Sequence, residues 1–230
     1  MPQTKCLRAL APDVRRVVTA SLTLSGAVGV FALSFGVLAV SAGASIAQTC
    51  ALSLLTFTGA SQLSAMAVIG SGGTVGAALG GSLLLAARNG VYGLALAPYF
   101  GDSLGKRLVT AQFIIDETTA MHMAETDPRL RKIAFWTTAI ALYSCWNLGT
   151  LLGALAGSAI DPQQFGLDVA FTAAFVAMLY PHLVRRRARL AAAIGGAICL
   201  IAIPFSPVGL PVLLSGVAIF VGVPASGDES

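Results

Sequence analysis

Apolar positions run through this chain in long blocks separated by short polar intervals. Blocks at residues 17–41, 46–70, 74–98, 133–157 and 167–184, with shorter ones at 190–204 and 208–223, hold almost no charge. A helix of about 20 apolar residues crosses a hydrocarbon core of about 30 Å, so hydropathy alone predicts seven spans. The last two are short for a bilayer and flank Pro204, Pro207 and Pro211, which predicts a broken or tilted hairpin. No repeat period is visible in the sequence.

The stretch 99–132 is ambiguous. Leu108-Val109-Thr110-Ala111-Gln112-Phe113-Ile114-Ile115 is apolar yet runs at once into Asp116-Glu117. Lys and Arg collect on the cytoplasmic side of membrane proteins, so their distribution arbitrates. With an internal N-terminus and no crossing here, four loop cations fall inside and nine outside, against the rule. If residues near 108–124 cross, the groups at 5–16, 129–132 and 185–189 all become cytoplasmic, giving eleven inside and only Lys106 and Arg107 outside. Eight crossings with both termini inside is therefore the expectation. Seven with an external N-terminus, at nine inside and four outside, is the surviving alternative.

Composition strengthens the membrane reading. The 230 residues are 56% hydrophobic and 10% charged, with a mean hydropathy of +0.83, whereas soluble domains carry about 25% charged residues. The expected fold is an all-α, polytopic transmembrane helical bundle of about seven to eight spans, some short or discontinuous. Residues 1–16 are expected as a basic cytoplasmic segment, 17–224 as the membrane domain and 225–230 as a polar tail. The first block ends in Ala44-Ser45-Ile46-Ala47, like a cleavable leader, but is too long for one and reads as a retained helix. The net charge of +4 comes from short basic clusters between apolar blocks, a topology signal rather than a nucleic-acid surface. Cys6, Cys50, Cys145 and Cys199 lack ligand spacing and read as small core hydrophobes.

Few side chains in such a chain carry chemistry. Arg88 lies near the middle of the third block, where a charge costs on the order of 3 kcal/mol. Asp116 and Glu117 fall at similar depth if 108–124 crosses, and an ion pair with Arg88 is the economical arrangement. The group is either a pin between helices or a substrate or coupling site, and the sequence leaves both open. In the second block, Thr56-Phe57-Thr58-Gly59-Ala60-Ser61-Gln62 gathers small and polar residues at membrane depth. Gly59 and Ala60 permit close backbone approach, and Gln62 offers a donor and an acceptor; the cluster suits an amino acid's ammonium and carboxylate, or helix packing. Trp146 and Asn147 sit near the middle of 133–157, and Gly149, Gly153 and Gly157 follow along one helix face, the spacing of a close helix contact.

The remaining features read as structural. Gly72-Gly73, Gly76 and Gly80-Gly81 are packing and turn residues, since no phosphate-loop Lys or Ser/Thr follows them. Asp168 reads as a helix cap after the Asp161-Pro162 loop, and Arg185, Arg186, Arg187 and Arg189 as a topology anchor. His122 and His182 have no metal-ligand spacing, so no metal site is expected. His-Glu-x-x-His does not occur, and no Ser/His pair falls plausibly at one depth, which argues against an intramembrane enzyme.

Gly59-Ala60-Ser61-Gln62, Arg88 with Tyr92-Gly93, Ala97-Pro98-Tyr99, Asp116-Glu117 and Gly166-Leu167-Asp168-Val169-Ala170-Phe171 occur in this order. With them, the stretch from about Gly29 to Leu183 resembles the AzlC family of branched-chain amino-acid permease large subunits. The family often has Asn-Leu-Arg-His where this chain has Ala86-Ala87-Arg88-Asn89, and an Asp-Glu-Ser-Phe-type motif where it has Asp116-Glu117-Thr118-Thr119. The resemblance implies a multi-pass protein of the bacterial inner (plasma) membrane that exports valine-like, branched-chain amino acids by alternating access. It also implies a small multispanning AzlD-type subunit as partner and no cofactor. The substrate-binding or coupling candidates are then Ser61, Gln62, Arg88, Asn89, Tyr92, Asp116, Glu117, Trp146 and Asn147, with Phe57, Phe113 and Trp146 shaping an apolar pocket. A passive channel or membrane scaffold subunit is the alternative.

Overall fold

The computed structural model describes residues 3–101, 103–159, 183–206 and 210–218, with positions 176, 179, 180 and 220. Over these residues the chain is helical: α1 (Gln3–Ser41), α2 (Ile46–Thr56), α3 (Ala60–Gly70), α4 (Val75–Leu96), α5 (Leu104–Gln112), α6 (Asp116–Met123), α7 (Pro128–Ala159), α8 (Arg186–Ala202) and α9 (Leu210–Ser215). No strand occurs among the described residues, and the all-α membrane bundle expected from sequence is the observed class. Pro12–Ser41, Pro128–Ala159 and Arg186–Phe205 are long and apolar enough to cross a bilayer. At 22 residues α4 has the length as well, with Arg88-Asn89 past its middle.

The frame is a parallel pair. Val17 of α1 packs on Leu130 and Ala134 of α7, and the Thr138 hydroxyl donates to Ser21 Oγ at 2.9 Å. Higher up, Gly29 meets Cys145 and Val37 meets Gly157, so the two helices advance together. Their seam is glycine: a Cβ on Gly149 would lie 2.8 Å from the Ala32 Cβ, and one on Gly157 2.9 Å from the Val37 Cα. Missing side chains let the two backbones approach closely, so the glycine line read from the sequence is a contact face. The helix α4 runs the other way. Its Gly81 faces Ser64, near the start of α3. Its last residue, Leu96, packs on Phe135 and Ala139 near the start of α7.

Two apolar blocks expected to cross do not. The block 46–70 is a hairpin. Ser45 caps α2 beside the end of α1, and α2 descends until Phe57 stands 4.9 Å from the Tyr143 ring, halfway along α7. From there α3 climbs back until Gly70 abuts Ala42. The block 108–124 is a second hairpin, entering from the opposite end. Lys106, at the start of α5, borders a crevice with Lys132 of α7. Phe113, just past the end of α5, stands 5.4 Å from Tyr143. The return helix α6 begins beside Ile115, which packs with Leu142 and Trp146, and ends with Met121 against Val17 and Leu130. At about 1.5 Å per residue, helices of 8–11 residues reach about half the bilayer core. Such half-helices are tolerated at membrane depth because their broken ends are buried in protein.

This geometry also corrects the charge assignment. Lys106 and Arg107 stand at the same end of the bundle as Arg129, Arg131 and Lys132, not at the opposite end. The last elements form a hairpin as expected: α8 stops at the turn Ile203–Phe205, which contains Pro204, and packs on α9. Leu213 of α9 rests on Gly80 of α4. The block 167–184 as a span, Asp161-Pro162, Asp168, His182, the 166–171 motif and the tail lie outside the described residues. Leu55, Leu83 and Leu94 are more than 60% exposed, on faces a bilayer would cover.

Candidate functional site

The tips of the two hairpins meet at mid-depth, and each tip is built by local chemistry. At the first, Phe57 adopts φ +29°, rare for a residue with a side chain, and Gly59 adopts φ +57°, which glycine tolerates freely. Phe57 is held there by burial, its ring edge-on to Tyr143 and 6.3 Å from Phe113. Ending α2 orphans its last carbonyls. Gln62 Nε2 donates to Leu52 O at 2.9 Å, while Gln112 Nε2 donates to Leu54 O and Leu55 O at 3.3 and 3.1 Å. The Tyr143 hydroxyl also donates to Leu54 O, at 3.0 Å. Gln62 Oε1 in turn accepts from Gly59 N at 3.2 Å.

At the second tip, the Thr118 hydroxyl accepts from Ile115 N at 3.1 Å and donates to Phe113 O at 2.7 Å. Gln62 and Thr118 therefore hold equivalent places. Each stands at the third position of its helix and closes the N-terminal turn from within.

Between the tips lies a cavity of about 100 Å³. Its walls are apolar, from Val28 and Phe31 of α1, Phe57 and Leu63 of the first hairpin, and Leu142 and Trp146 of α7. One end is charged: Arg88 Nη1 lies 3.3 Å from Asp116 Oδ2, and Glu117 stands beside them. About a third of each paired side chain is exposed, so the pair faces the cavity instead of being sealed.

Helices α3 and α6 both begin at this space, directing the positive ends of their dipoles toward it. Asp116 and Glu117 occupy the first turn of α6 and balance its end, whereas α3 has no acidic residue in its first turn. Trp146 is 4% exposed and its indole N–H, a donor only, has no partner. The cavity thus offers a donor side at the start of α3 and an acceptor side at Asp116 and Glu117, an arrangement complementary to a zwitterion with an apolar body.

Of the nine candidates, the structure brings Arg88, Asp116, Glu117 and Trp146 together around the cavity. Gln62 fastens the first break, and Asn147 donates to Tyr143 O in its own helix at 2.8 Å. Ser61 is buried beside the tip with no partner for its hydroxyl. Tyr92 packs in the cluster around Leu96 and Phe135, and Asn89 does not line the cavity. Phe57 lines the cavity, whereas Phe113 stands behind it. The sequence reading missed the clips Gln112, Thr118 and Tyr143 and the α1 wall. The spacing Gly59-x-x-Gln62, with a glutamine at the third position of the following helix, was the available signal at the first tip; Ile115-x-x-Thr118 gives none. Among the described residues no three of His, Cys, Asp and Glu gather closely enough to hold a metal ion.

The sequence model of the AzlC protein family matches residues 24–160, which takes in both hairpins, α4 and α7. An uncharacterized membrane protein of Helicobacter pylori is 26% identical over 148 residues, 64% of this chain. The chain spans 65% of that relative's length. No solved structure matches.

Proposed function

Because the chain belongs to the AzlC family, we propose that it is the large subunit of a branched-chain amino-acid permease, exporting valine-like solutes across the inner membrane in which it is a multi-pass protein. A small multispanning AzlD-type subunit completes the permease. The observation that carries this reading is the cavity at the meeting point of two oppositely inserted hairpins, charged at one end and apolar elsewhere. Asp116 and Glu117 suit an ammonium group; the first-turn N–H groups of α3 suit a carboxylate. An aliphatic side chain then lies against Phe57, Leu63 and Leu142. A cavity needs about 10–15 Å³ to hold one water, so about 100 Å³ admits a solute of several heavy atoms. An apolar wall separates side chains differing by one methylene only about 10–200-fold, so several aliphatic amino acids share the site.

Transport follows from the tips. Each hairpin closes the route toward the end from which it enters, and the hydrogen bonds from Gln112 and Tyr143 to the end of α2 hold the closed arrangement. Withdrawing one tip opens one side while the other stays shut, which is alternating access around a midplane site. The test is efflux of valine and leucine from dipeptide-loaded cells with and without the gene and its neighbouring small membrane protein. Efflux lost on deletion and restored only by both genes is the expected result. Unchanged efflux sinks the branched-chain assignment.

A further inference from the structure

His122 has no role in the carrier described above, yet it is 0% exposed on α6 and neither of its ring nitrogens has a hydrogen-bond partner. Whichever tautomer it adopts, a neutral imidazole there leaves one donor and one acceptor unmet, which is costly in a buried site. Packing alone gives no reason for a histidine. Its neighbours are aromatic, with ring centroids of Tyr99 at 4.9 Å, Phe100 at 5.4 Å and Phe135 at 6.3 Å. A phenylalanine would fill the same nest without that cost.

Its position along α6 supplies the reason. Asp116, Thr119 and His122 follow at three-residue steps along α6, each about 5–6 Å from the next by Cβ and turned about 60° around the helix from it, and Glu125 lies two residues past the helix end. Asp116 borders the cavity. Glu125 stands at the opposite end, paired at 2.9 Å with Arg16, whose side chain is 58% exposed to water. Between them, Thr119 is buried and its hydroxyl, like the imidazole, has no partner.

A file of polar groups therefore runs from the cavity to the basic end of the bundle, and its two inner members are free to exchange partners. Other titratable groups near the ring are Tyr99, after α4, and Arg131 of α7. The Arg131 backbone and guanidinium approach without completing a hydrogen bond, and the guanidinium lies 5.1 Å over Tyr99. From α1, Arg16 acts through Glu125.

We propose that His122 relays a proton between water at the basic end and the carboxylates of the cavity, making a proton the second solute of the carrier. The inference rests on the permease reading above. The neutral ring accepts a proton on one nitrogen from water near Glu125 and releases one from the other nitrogen. The Thr119 hydroxyl takes that proton as it passes its own to a carboxylate at Asp116 or Glu117. Only N–H and O–H bonds form and break, and the ring ends neutral, so one proton has moved and nothing else is consumed.

Two measurements test this. In detergent-solubilised full-length protein carrying labelled histidine, with His182→Gln leaving a single ring, imidazole nitrogen resonances are followed between about pH 5 and 8. A transition that moves on Glu125→Gln is expected; a ring fixed in one protonation state throughout overturns the relay. In liposomes holding the chain and its small partner subunit, valine counterflow at equal pH is compared with valine movement driven by a pH gradient. His122→Phe is expected to keep counterflow within about twofold and to lose gradient-driven movement at least tenfold. Loss of both by a folded variant, or of neither, overturns the relay. A wild-type protein that exchanges no valine sinks the permease reading instead, and the titration alone then decides whether the ring carries protons.

Discussion

Arg88 and Asp116 form a charge pair whose members come from different elements, a full-length helix and the start of a half-helix. Neither charge is stable alone at that depth, where insertion scales set the cost of one at about 3 kcal/mol. Exposure of a third of each side chain to the cavity lowers that figure. Arg88→Gln and Asp116→Asn, made singly, are therefore expected to lower the melting temperature in detergent and to reduce valine counterflow more than tenfold. Combining them is expected to restore the melting temperature, since no unpaired charge remains, but not counterflow. Recovery of counterflow in the double variant would show that the pair is a structural pin and not a solute contact.

The glycine seam and the two hairpins differ in how far the sequence reveals them. Gly149, Gly153 and Gly157 recur at four-residue spacing, and that spacing alone places them on one face, so a close-contact face on α7 was legible, though not that α1 covers it. Substitution should follow the geometry. Gly153→Ala sets a Cβ against the Leu33 backbone and is expected to abolish folded protein, whereas Gly90→Ala meets nothing within 4 Å and is expected to leave melting unchanged or slightly raised. Size-exclusion profiles and melting curves in detergent report both. The hairpins were not legible from hydropathy, because an apolar run has the same composition whether it crosses or turns back. A glycine marks the first turn, but Phe113-Ile114-Ile115 contains neither glycine nor proline. That break is satisfied by Thr118, while Gln112 and Tyr143 satisfy the end of α2 at the other tip, and the latter partners assemble only in the fold.

Taken as a body, the chain has an inverted plan. α1 leads into a hairpin that re-enters from one end; α4 runs back and leads into a hairpin that re-enters from the other. Phe57 and Phe113 each precede the start of a return helix by three residues, and they face each other at 6.3 Å across the meeting point. No repeat shows in the sequence because the correspondence lies in helix ends and direction, not in residue identity. The plan predicts which side each loop faces. In a chain with its four native cysteines replaced, Lys106→Cys is expected to react with an impermeant maleimide from the same side as Arg129→Cys, and Ser71→Cys from the opposite side. If 108–124 were a full crossing, Lys106→Cys and Arg129→Cys would react from opposite sides.

The pairing of α1 with α7 also sets the order in which the protein is made. Ser21 and Thr138 are joined across 117 positions of chain, so at synthesis rates of about 5–20 residues per second α1 waits roughly 6–23 s for its neighbour. During that interval both hairpins leave the ribosome before α7 is complete, and neither is long enough to settle across lipid by itself. Insertion of this chain is therefore a problem of timing. The first helix must be parked and the half-helices sheltered by the insertion machinery until the seam can close behind them.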